Sequence, residues 1–365
     1  MPIRKKIMIV VDAPGPAEFI EMVIPMLAKK AELLVVTVNT KANAAYKVLK
    51  KYNPLRCDRE ENAEAIFKKF DPDVLAVATS SLVLGPYSNS RFTEIAHKAN
   101  KKIICFQDYW ANHRWPMNYK MMPYWQKILA PDELAKKFLL EDGFAGEIVI
   151  TGNPGFDKFI KFNKEKERKW LREKFGAGEN DFIMVYVGRG TPQSWEYDEI
   201  TFDFFAKSAK SAMAEEKNKK ILVAVRPHPR DENPKRYDKF SDGLNLLDTS
   251  GFPSSSDLLP IFDFVTGMQS TNHIEACYLQ IPAACFILPN AGKLALEKIS
   301  LADFPPNLVG ASIGIYSSNT EKFKDIILKT MNNENFLAEM RGAQKKYFPL
   351  PKTPAAKKVA EEILN

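Results

Sequence analysis

The 365-residue chain is long enough for two domains, each with a core of its own. Hydrophobic residues make up 45% of it and charged residues 27%, which excludes a disordered or fibrous protein. The formal charge of +7 permits an anionic ligand but does not indicate a nucleic-acid partner. No apolar run approaches the roughly 18 residues that a membrane span needs.

The four cysteines include no CxxC pair, and three of them fall in apolar runs. This pattern excludes a disulfide framework and a zinc site, and it predicts a cytoplasmic protein. The N-terminal sequence MPIRKKIMIVVD is basic, but its apolar run is too short for a signal peptide. We interpret that run as the first β-strand.

Short β-branched runs alternate with amphipathic stretches, a pattern typical of parallel α/β architecture. In the first half, the predicted strands are Ile7–Val11, Leu33–Thr37, Val74–Ala78, Ile103–Phe106, Lys127–Ala130 and Glu147–Thr151. The helices predicted between them include Ala17–Lys30, Ala42–Lys51 and Asn62–Lys69. The strands are almost continuously apolar, as a sheet covered on both faces requires.

A charged helix is predicted from Asp157 to Phe175, and a second series of strands follows it. These strands are Phe182–Val187, Ile221–Val225, Leu244–Leu247, Phe264–Thr266 and Ala283–Phe286, and a final helix is predicted over Lys352–Leu364. We therefore expect a first domain over residues 1–160, a linker helix over 161–180, a second domain over 181–340 and a C-terminal helical segment over 341–365. The architecture predicted is two Rossmann-like domains with parallel sheets that face each other across a cleft.

The most informative segment runs from Asp263 to Ala276, where a buried strand ends in a hydroxyl-rich turn and a helix begins. The first turn of such a helix suits a phosphate, to which Ser270 and Thr271 can donate hydrogen bonds. Glu275 lies one turn later, where its carboxylate can accept from a ribose diol. The alternative is that a hydroxyl merely caps the helix and that Glu275 complements its dipole.

Two further motifs follow strands of the second half. In Arg226-Pro227-His228-Pro229-Arg230 the prolines stiffen a loop whose cationic side chains suit a diphosphate. In Gly188-Arg189-Gly190 the glycines allow close approach of a ligand, toward which Arg189 would point. We predict that Arg226, His228 and Arg189 contact the nucleotide.

In the first half, the segment from Asp12 to Glu18 joins the first strand to the first helix and lacks GxGxxG. Gly15 allows close approach of a substrate, and Glu18 is either a catalytic base or an acidic residue that complements the helix dipole in its first turn.

The loop from Phe106 to Trp115 follows the fourth strand. Asp108 and His113 are the strongest general-base candidates there, because a carboxylate or imidazole at a strand end faces the cleft. A packed aromatic loop is the alternative.

Taken together, "RPHPR" and "DFVTGMQSTNHIEACYLQIPA" resemble the nucleotide-sugar-binding half of GT-B glycosyltransferases, and especially the UDP-N-acetylglucosamine 2-epimerase group. "ILAPDELAKKFLLEDGFAGEIVITGNPGFDKF" resembles the end of the N-terminal domain of that group. "IICFQDYWANHRW" is more similar to the lipid A disaccharide synthase family. The resemblance implies a final helix that crosses back to the first domain.

Carried over by residue, the resemblance implies that Glu275 holds the donor ribose and that Ser270 and Thr271 hold the diphosphate. It places His228 and Arg189 near the phosphate or the sugar. The chain departs from the epimerases where an acid of a "GD" turn is replaced by Ala78-Thr79-Ser80. It also departs at Gln107-Asp108-Tyr109, which replaces an "HVEAG"-like loop. These departures disfavour epimerase chemistry.

The leading hypothesis is a metal-independent glycosyltransferase that uses a nucleoside-diphosphate sugar, with UDP as the expected nucleotide. Asp108, or else His113 or Glu18, would deprotonate a glycan or lipid-linked acceptor. No cofactor is expected, because the nucleotide sugar is a substrate. Three alternative functions stay open: a 2-epimerase, a CDP-polyol phosphotransferase and a non-catalytic nucleotide-sugar-binding protein. A homodimer and a peripheral membrane contact also stay open, with any of these functions.

Overall fold

The computed structural model describes residues 4–38, 44–58, 60–79, 89–188, 195–228, 231–252, 254–289 and 304–365. The chain forms two units. The first comprises Met1–Ile160 together with Pro351–Asn365, and the second comprises Lys161–Leu350. Each unit is built on a parallel sheet, so two Rossmann-like folds are present.

The sheet of the first unit has seven parallel strands in the order β3-β2-β1-β4-β5-β6-β7. The strands are β1 Lys6–Val11, β2 Glu32–Val38, β3 Leu55–Cys57, β4 Val74–Ala78, β5 Lys102–Phe106, β6 Lys127–Ala130 and β7 Glu147–Ile150. The strand order reverses between β1 and β4, and open α/β sheets bind ligands beyond the carboxyl ends of the strands at such a reversal.

The sheet of the second unit has five parallel strands in the order β12-β11-β10-β8-β9. The strands are β8 Phe182–Val187, β9 Ile221–Arg226, β10 Phe264–Gly267, β11 Ala283–Phe286 and β12 Ile313–Ile315. Here the order reverses between β8 and β10, which directs attention to the loops that follow these two strands.

Helices connect the strands in both units. Those of the first unit are Pro14–Glu21, Ile24–Ala28, Ala44–Leu49, Glu60–Phe70, Asn89–Lys98, Pro116–Met121, Glu133–Glu141 and Ala355–Leu364. Those of the second are Lys164–Phe175, Trp195–Glu215, Asp238–Ser241, Ser255–Leu258, Thr271–Tyr278, Pro305–Leu308, Thr320–Asn332 and Glu334–Tyr347. Among the described residues, none of the helices combines the length and apolar character needed to cross a membrane.

The last helix, Ala355–Leu364, belongs to the first unit, as the resemblance implied. Val359 and Ile363 are fully buried in the same core as the β-strands of that unit. Asp157 caps the start of the helix, since its two carboxylate oxygens accept from the backbone N–H groups of Ala355 (2.8 Å) and Ala356 (2.9 Å). One carboxylate therefore ties the end of the chain to the first unit.

The structure corrects three predicted elements. Leu244–Leu247 is not a strand, because only Leu246 forms an isolated bridge, to Val223. The helix predicted over Ala17–Lys30 is two helices, since Pro25 lacks the N–H that would continue the first one.

The helix predicted to begin at Asp157 begins at Lys164, where the Asn163 side chain accepts from the backbone N–H of Lys166. A separate 3-10 turn, Pro154–Phe159, precedes it.

Candidate functional site

The loops after β1 and β5 bring acidic side chains together in the first unit. Asp12 follows β1 directly, Gly15 lies in the first turn of the next helix, and Asp108 lies just beyond β5. A Cβ atom at Gly15 would come within 2.5 Å of Asp108 Oδ2. Only glycine at this position leaves room for the Asp108 carboxylate, so the loops after β1 and β5 pack closely together here.

Asp108 is half-buried and held by two asparagines. Its Oδ1 accepts from Asn112 Nδ2 at 2.9 Å, and its backbone carbonyl accepts from Asn153 Nδ2 at 3.1 Å. Burial, followed by the negative charges of Asp12 and Glu18, raises the pKa of Asp108 to about 7, although the Asn112 hydrogen bond opposes the rise. A carboxylate with that pKa can accept a proton near neutral pH.

Glu18 and Asp12 differ in exposure. The Glu18 side chain is exposed on the first helix, whereas Asp12 is buried. Both act on Asp108 through their charge, which disfavours ionisation of the Asp108 carboxyl. The structure thus places Glu18 beside the base candidate and gives it an electrostatic influence on that group.

His113 is fully buried and both of its ring nitrogens are engaged. Nδ1 accepts from Gln107 Nε2 at 3.0 Å, and this bond leaves the proton on Nε2, which donates to Asp142 Oδ2 at 2.7 Å. Arg114 Nε donates to the same Asp142 oxygen at 2.6 Å. Burial lowers the pKa of His113, and its two hydrogen bonds hold the imidazole in the loop. Its role as a general base stays a prediction.

In the second unit, β10 ends at Gly267, where the backbone has φ of +144°. A Cβ atom at this position would lie 2.4 Å from the backbone oxygen of Val187, so the close approach of β10 and β8 requires glycine. A short turn follows, and the helix Thr271–Tyr278 begins four residues after Gly267. Ser270 caps it by accepting from the backbone N–H of Asn272 at 3.3 Å, and Thr271 is exposed.

Glu275 is buried on this helix, with 4% of its surface exposed. Its Oε2 accepts from Ser256 Oγ at 2.5 Å and from Asn272 Nδ2 at 3.0 Å. The Ser256 hydroxyl and the Asn272 amide therefore hold the same carboxylate oxygen. Ser256 and Asn272 were missed by the sequence analysis because nothing in the local pattern marks them.

Arg226, at the end of β9, is buried and directs its guanidinium to the following loop. Nη1 donates to the carbonyl of Thr249 (2.7 Å), Nη2 to that of Phe252 (2.7 Å), and Nε to Ser255 Oγ (3.2 Å). Each guanidinium nitrogen thus donates one hydrogen bond to this loop, and the contact of Arg226 with the nucleotide stays a prediction.

His228 is half-buried beyond β9, and its carbonyl accepts from the backbone N–H of Asp231 at 2.8 Å. Arg189 and Arg230 lie outside the described residues.

A cavity of about 510 Å³ opens beside Arg226, with Pro227, Leu247, Thr249 and Phe252 among its lining residues. Its volume falls in the range of roughly 300–1,000 Å³ that small-molecule sites occupy. Among the described residues, no group of three His, Cys, Asp or Glu side chains could hold a metal ion.

A buried polar network that the sequence analysis missed lies behind the loops after β8 and β9. Asp198 accepts from Tyr186 Oη at 2.7 Å and also from Tyr237 and Arg236, and Arg236 donates in turn to Asp231. These residues are scattered from Tyr186 to Tyr237 along the chain, so no local motif reveals them. The network holds Asp231, three residues after His228.

No protein-family model matches the chain, and no curated protein sequence does. Solved structures match over nearly its whole length. UDP-GlcNAc 2-epimerase from Neisseria meningitidis, bound to UDP-GlcNAc, is 15% identical with a TM-score of 0.66, over 98% of this chain and 99% of that one. The S. aureus MnaA–UDP co-structure is 14% identical with a TM-score of 0.68, over 98% and 96%.

A glycosyltransferase from Rickettsia africae is 15% identical with a TM-score of 0.57, over 99% of both chains. At these identities the likeness concerns the fold alone. It agrees with the two parallel sheets and the returning last helix described above. The chain therefore has the GT-B fold that sugar-nucleotide epimerases and glycosyltransferases share.

Proposed function

We propose that the protein is a metal-independent glycosyltransferase that uses a nucleoside-diphosphate sugar, with UDP as the nucleotide. The second unit binds the donor, and Asp108 of the first unit deprotonates a hydroxyl of a glycan or lipid-linked acceptor. The observation that carries this proposal is the environment of Asp108, which raises its pKa to about 7 beside a glycine that leaves room for it. A base with that pKa is half ionised at neutral pH.

The donor half of the proposal rests on the helix Thr271–Tyr278. Its N-terminus offers backbone N–H groups and the positive end of the helix dipole to a diphosphate. Buried Glu275, one turn later, accepts from the ribose hydroxyls. His228 and Arg189 remain proposed contacts of the diphosphate or the sugar. The solved structures that contain UDP or UDP-GlcNAc support a nucleotide-sugar ligand for this fold.

In the proposed reaction the acceptor oxygen attacks the anomeric carbon while Asp108 takes the proton of that hydroxyl. The bond between the anomeric carbon and the diphosphate oxygen breaks, and its electron pair leaves with the nucleoside diphosphate. The N–H groups of the second unit stabilise the negative charge that develops on the leaving group. Atoms and charge balance without an added metal or redox partner.

A 2-epimerase is the second candidate, because one of the similar structures is an epimerase bound to UDP-GlcNAc. The two activities differ in their need for an acceptor. An epimerase converts the nucleotide sugar when it is supplied alone, whereas a transferase releases nucleoside diphosphate in proportion to the acceptor glycosylated. Incubation with UDP-GlcNAc alone, followed by separation of the sugar nucleotides, distinguishes them.

The first test is calorimetric titration of the protein with UDP, CDP, GDP and ADP, repeated on Glu275→Ala. We expect saturable binding of UDP that weakens at least about tenfold in the variant, as the loss of hydrogen bonds to a charged group predicts. Preference for CDP would instead favour a polyol-phosphate transferase. Absence of binding to all four would refute the donor site.

Turnover assays with the nucleotide sugar so chosen then compare the wild type with Asp108→Asn. We expect the variant to lose transfer while it keeps its affinity for UDP, and EDTA to leave the wild-type rate unchanged. Transfer that persists in Asp108→Asn would show that another group is the base.

A further inference from the structure

Three residues near the start of the helix Ser255–Leu258 are held from two sides. On one side, Arg226 donates to the carbonyls of Thr249 and Phe252 and to the hydroxyl of Ser255. From outside, the Phe252 ring meets the Trp170 ring edge-on at 6.3 Å, and the Lys174 ammonium lies 4.7 Å from the centroid of the Phe252 ring. Thr249, Phe252 and Ser255 therefore form a fixed support.

Ser256 connects this support to Glu275. It follows Ser255 directly, and its hydroxyl donates to Glu275 Oε2 at 2.5 Å. Asn272, on the same helix as Glu275, donates to the same oxygen at 3.0 Å and lies 3.5 Å from Ser256 Oγ. A continuous series of hydrogen bonds and one peptide bond thus runs from Arg226 to the buried carboxylate.

We infer that Arg226 and Ser256 are positioning residues that fix the Glu275 carboxylate for the hydroxyls of a ribose, so that the site selects ribonucleotides. This inference rests on the proposed function. Two donors on one oxygen hold the carboxylate in a single orientation, and a preorganised acceptor loses less entropy when it binds a hydroxyl. Arg226 acts at a distance, because it sets the loop from which Ser256 donates.

The test compares UDP with 2′,3′-dideoxy-UDP by calorimetric titration of the wild type, Ser256→Ala and Glu275→Ala. We expect the wild type to prefer UDP by about tenfold or more, the value of a hydrogen bond to a charged group. Ser256→Ala should reduce that preference several-fold and leave the affinity for dideoxy-UDP within about twofold. Ser254→Ala is the matched control, because Ser254 caps the short helix Ser255–Leu258 on the same loop.

A double-mutant cycle separates positioning from general loosening of the loop. In the Glu275→Ala background, Ser256→Ala should have no further effect on either ligand, because the carboxylate that it orients is absent. Arg226→Lys should lower the preference in the wild-type background only, because an ammonium carries its donors on one nitrogen and cannot reproduce bonds made from three separate nitrogens. Equal losses for both nucleotides in Ser256→Ala would overturn the inference.

The inference and the proposed function fail in different ways. If the wild type binds neither nucleotide, the donor site itself is refuted. If Glu275→Ala abolishes the preference for UDP but Ser256→Ala keeps it in full, the donor site stands and the positioning role is refuted. Ser256→Ala distinguishes the positioning role from the donor site, because it removes one hydroxyl and keeps the hydrogen bonds of Arg226 to the loop.

Discussion

Asp108 Oδ2 occupies the space that a side chain at Gly15 would need, since a Cβ atom there would approach it to 2.5 Å. The proposed base therefore depends on a residue of another loop that contributes no functional group. Its orientation is further fixed by the hydrogen bond from Asn112. This relationship yields the first prediction.

Gly15→Ala should displace the Asp108 carboxylate and lower the transfer rate at least about tenfold, as small misplacements of a catalytic group do. The fold should survive, because the displaced group is the end of a side chain. Transfer rate and thermal unfolding midpoint check both statements. Gly342→Ala is the control, because a Cβ atom at that exposed helical position meets nothing within 4 Å. An unchanged rate in Gly15→Ala would contradict the proposed geometry.

Glu18→Gln should lower the pKa of Asp108, because it removes one of the negative charges that raise it. The acid limb of the kcat/KM profile should then shift from about pH 7 to lower pH by roughly half a unit, the size of a partly screened charge effect. A potentiometric difference titration against Asp108→Asn in each background measures the same shift without substrate. Glu133→Gln, at an exposed glutamate, should leave the profile in place.

Asp108→Asn should be more stable than the wild type at pH 8 and should lose that advantage on acidification. An aspartate has a pKa near 3.9 when unfolded and about 7 here, so between these values the folded state binds more protons. Wild-type stability therefore falls as pH rises from about 4 to 7, and asparagine does not titrate. We expect a gain of about 1 kcal/mol or more at pH 8, measured by thermal unfolding. An advantage that is the same at pH 4 and pH 8 would count against the raised pKa.

Asp157→Ala should destabilise the first unit by about 1–2 kcal/mol, because it removes the cap from the helix Ala355–Leu364. The loss should appear as faster hydrogen exchange in that helix. Asp157→Asn should have a stability between those of the wild type and Asp157→Ala, since an amide has one acceptor oxygen where the carboxylate has two. The neighbouring Lys158→Ala serves as the control, and equal exchange in all variants would refute the capping role.

The sequence predicted long buried strands well, and Val74–Ala78 and Phe182–Val187 match the structure residue for residue. Their continuous apolar character carries the signal, because both faces of these strands are covered. The strands Leu55–Cys57 and Ile313–Ile315 went unnoticed, since three residues at a sheet edge show no periodicity. Strands with an apolar run of four or more residues are thus predicted from the sequence, whereas the three-residue strands at the sheet edges are not.

The hydrogen-bond partners of the polar side chains at the candidate site could not be predicted from the sequence. Arg226 was predicted to contact a ligand. Its hydrogen bonds to Thr249 and Phe252, residues more than 20 positions away in an irregular loop, could not be predicted. Likewise, the hydrogen bond between His113 and Asp142 joins residues 29 positions apart in the chain. Whether a polar side chain serves a ligand or the fold depends on such distant contacts, and local pattern does not record them.

The first unit takes part of its core from the last helix, while the second unit is one uninterrupted segment, Lys161–Leu350. During synthesis the second unit is complete while Val359 and Ile363 have yet to be made. The unit begun first must therefore wait for the end of the chain before its core can close. We expect the nascent chain to gain protease resistance in the second unit before the first, against the order in which the two begin.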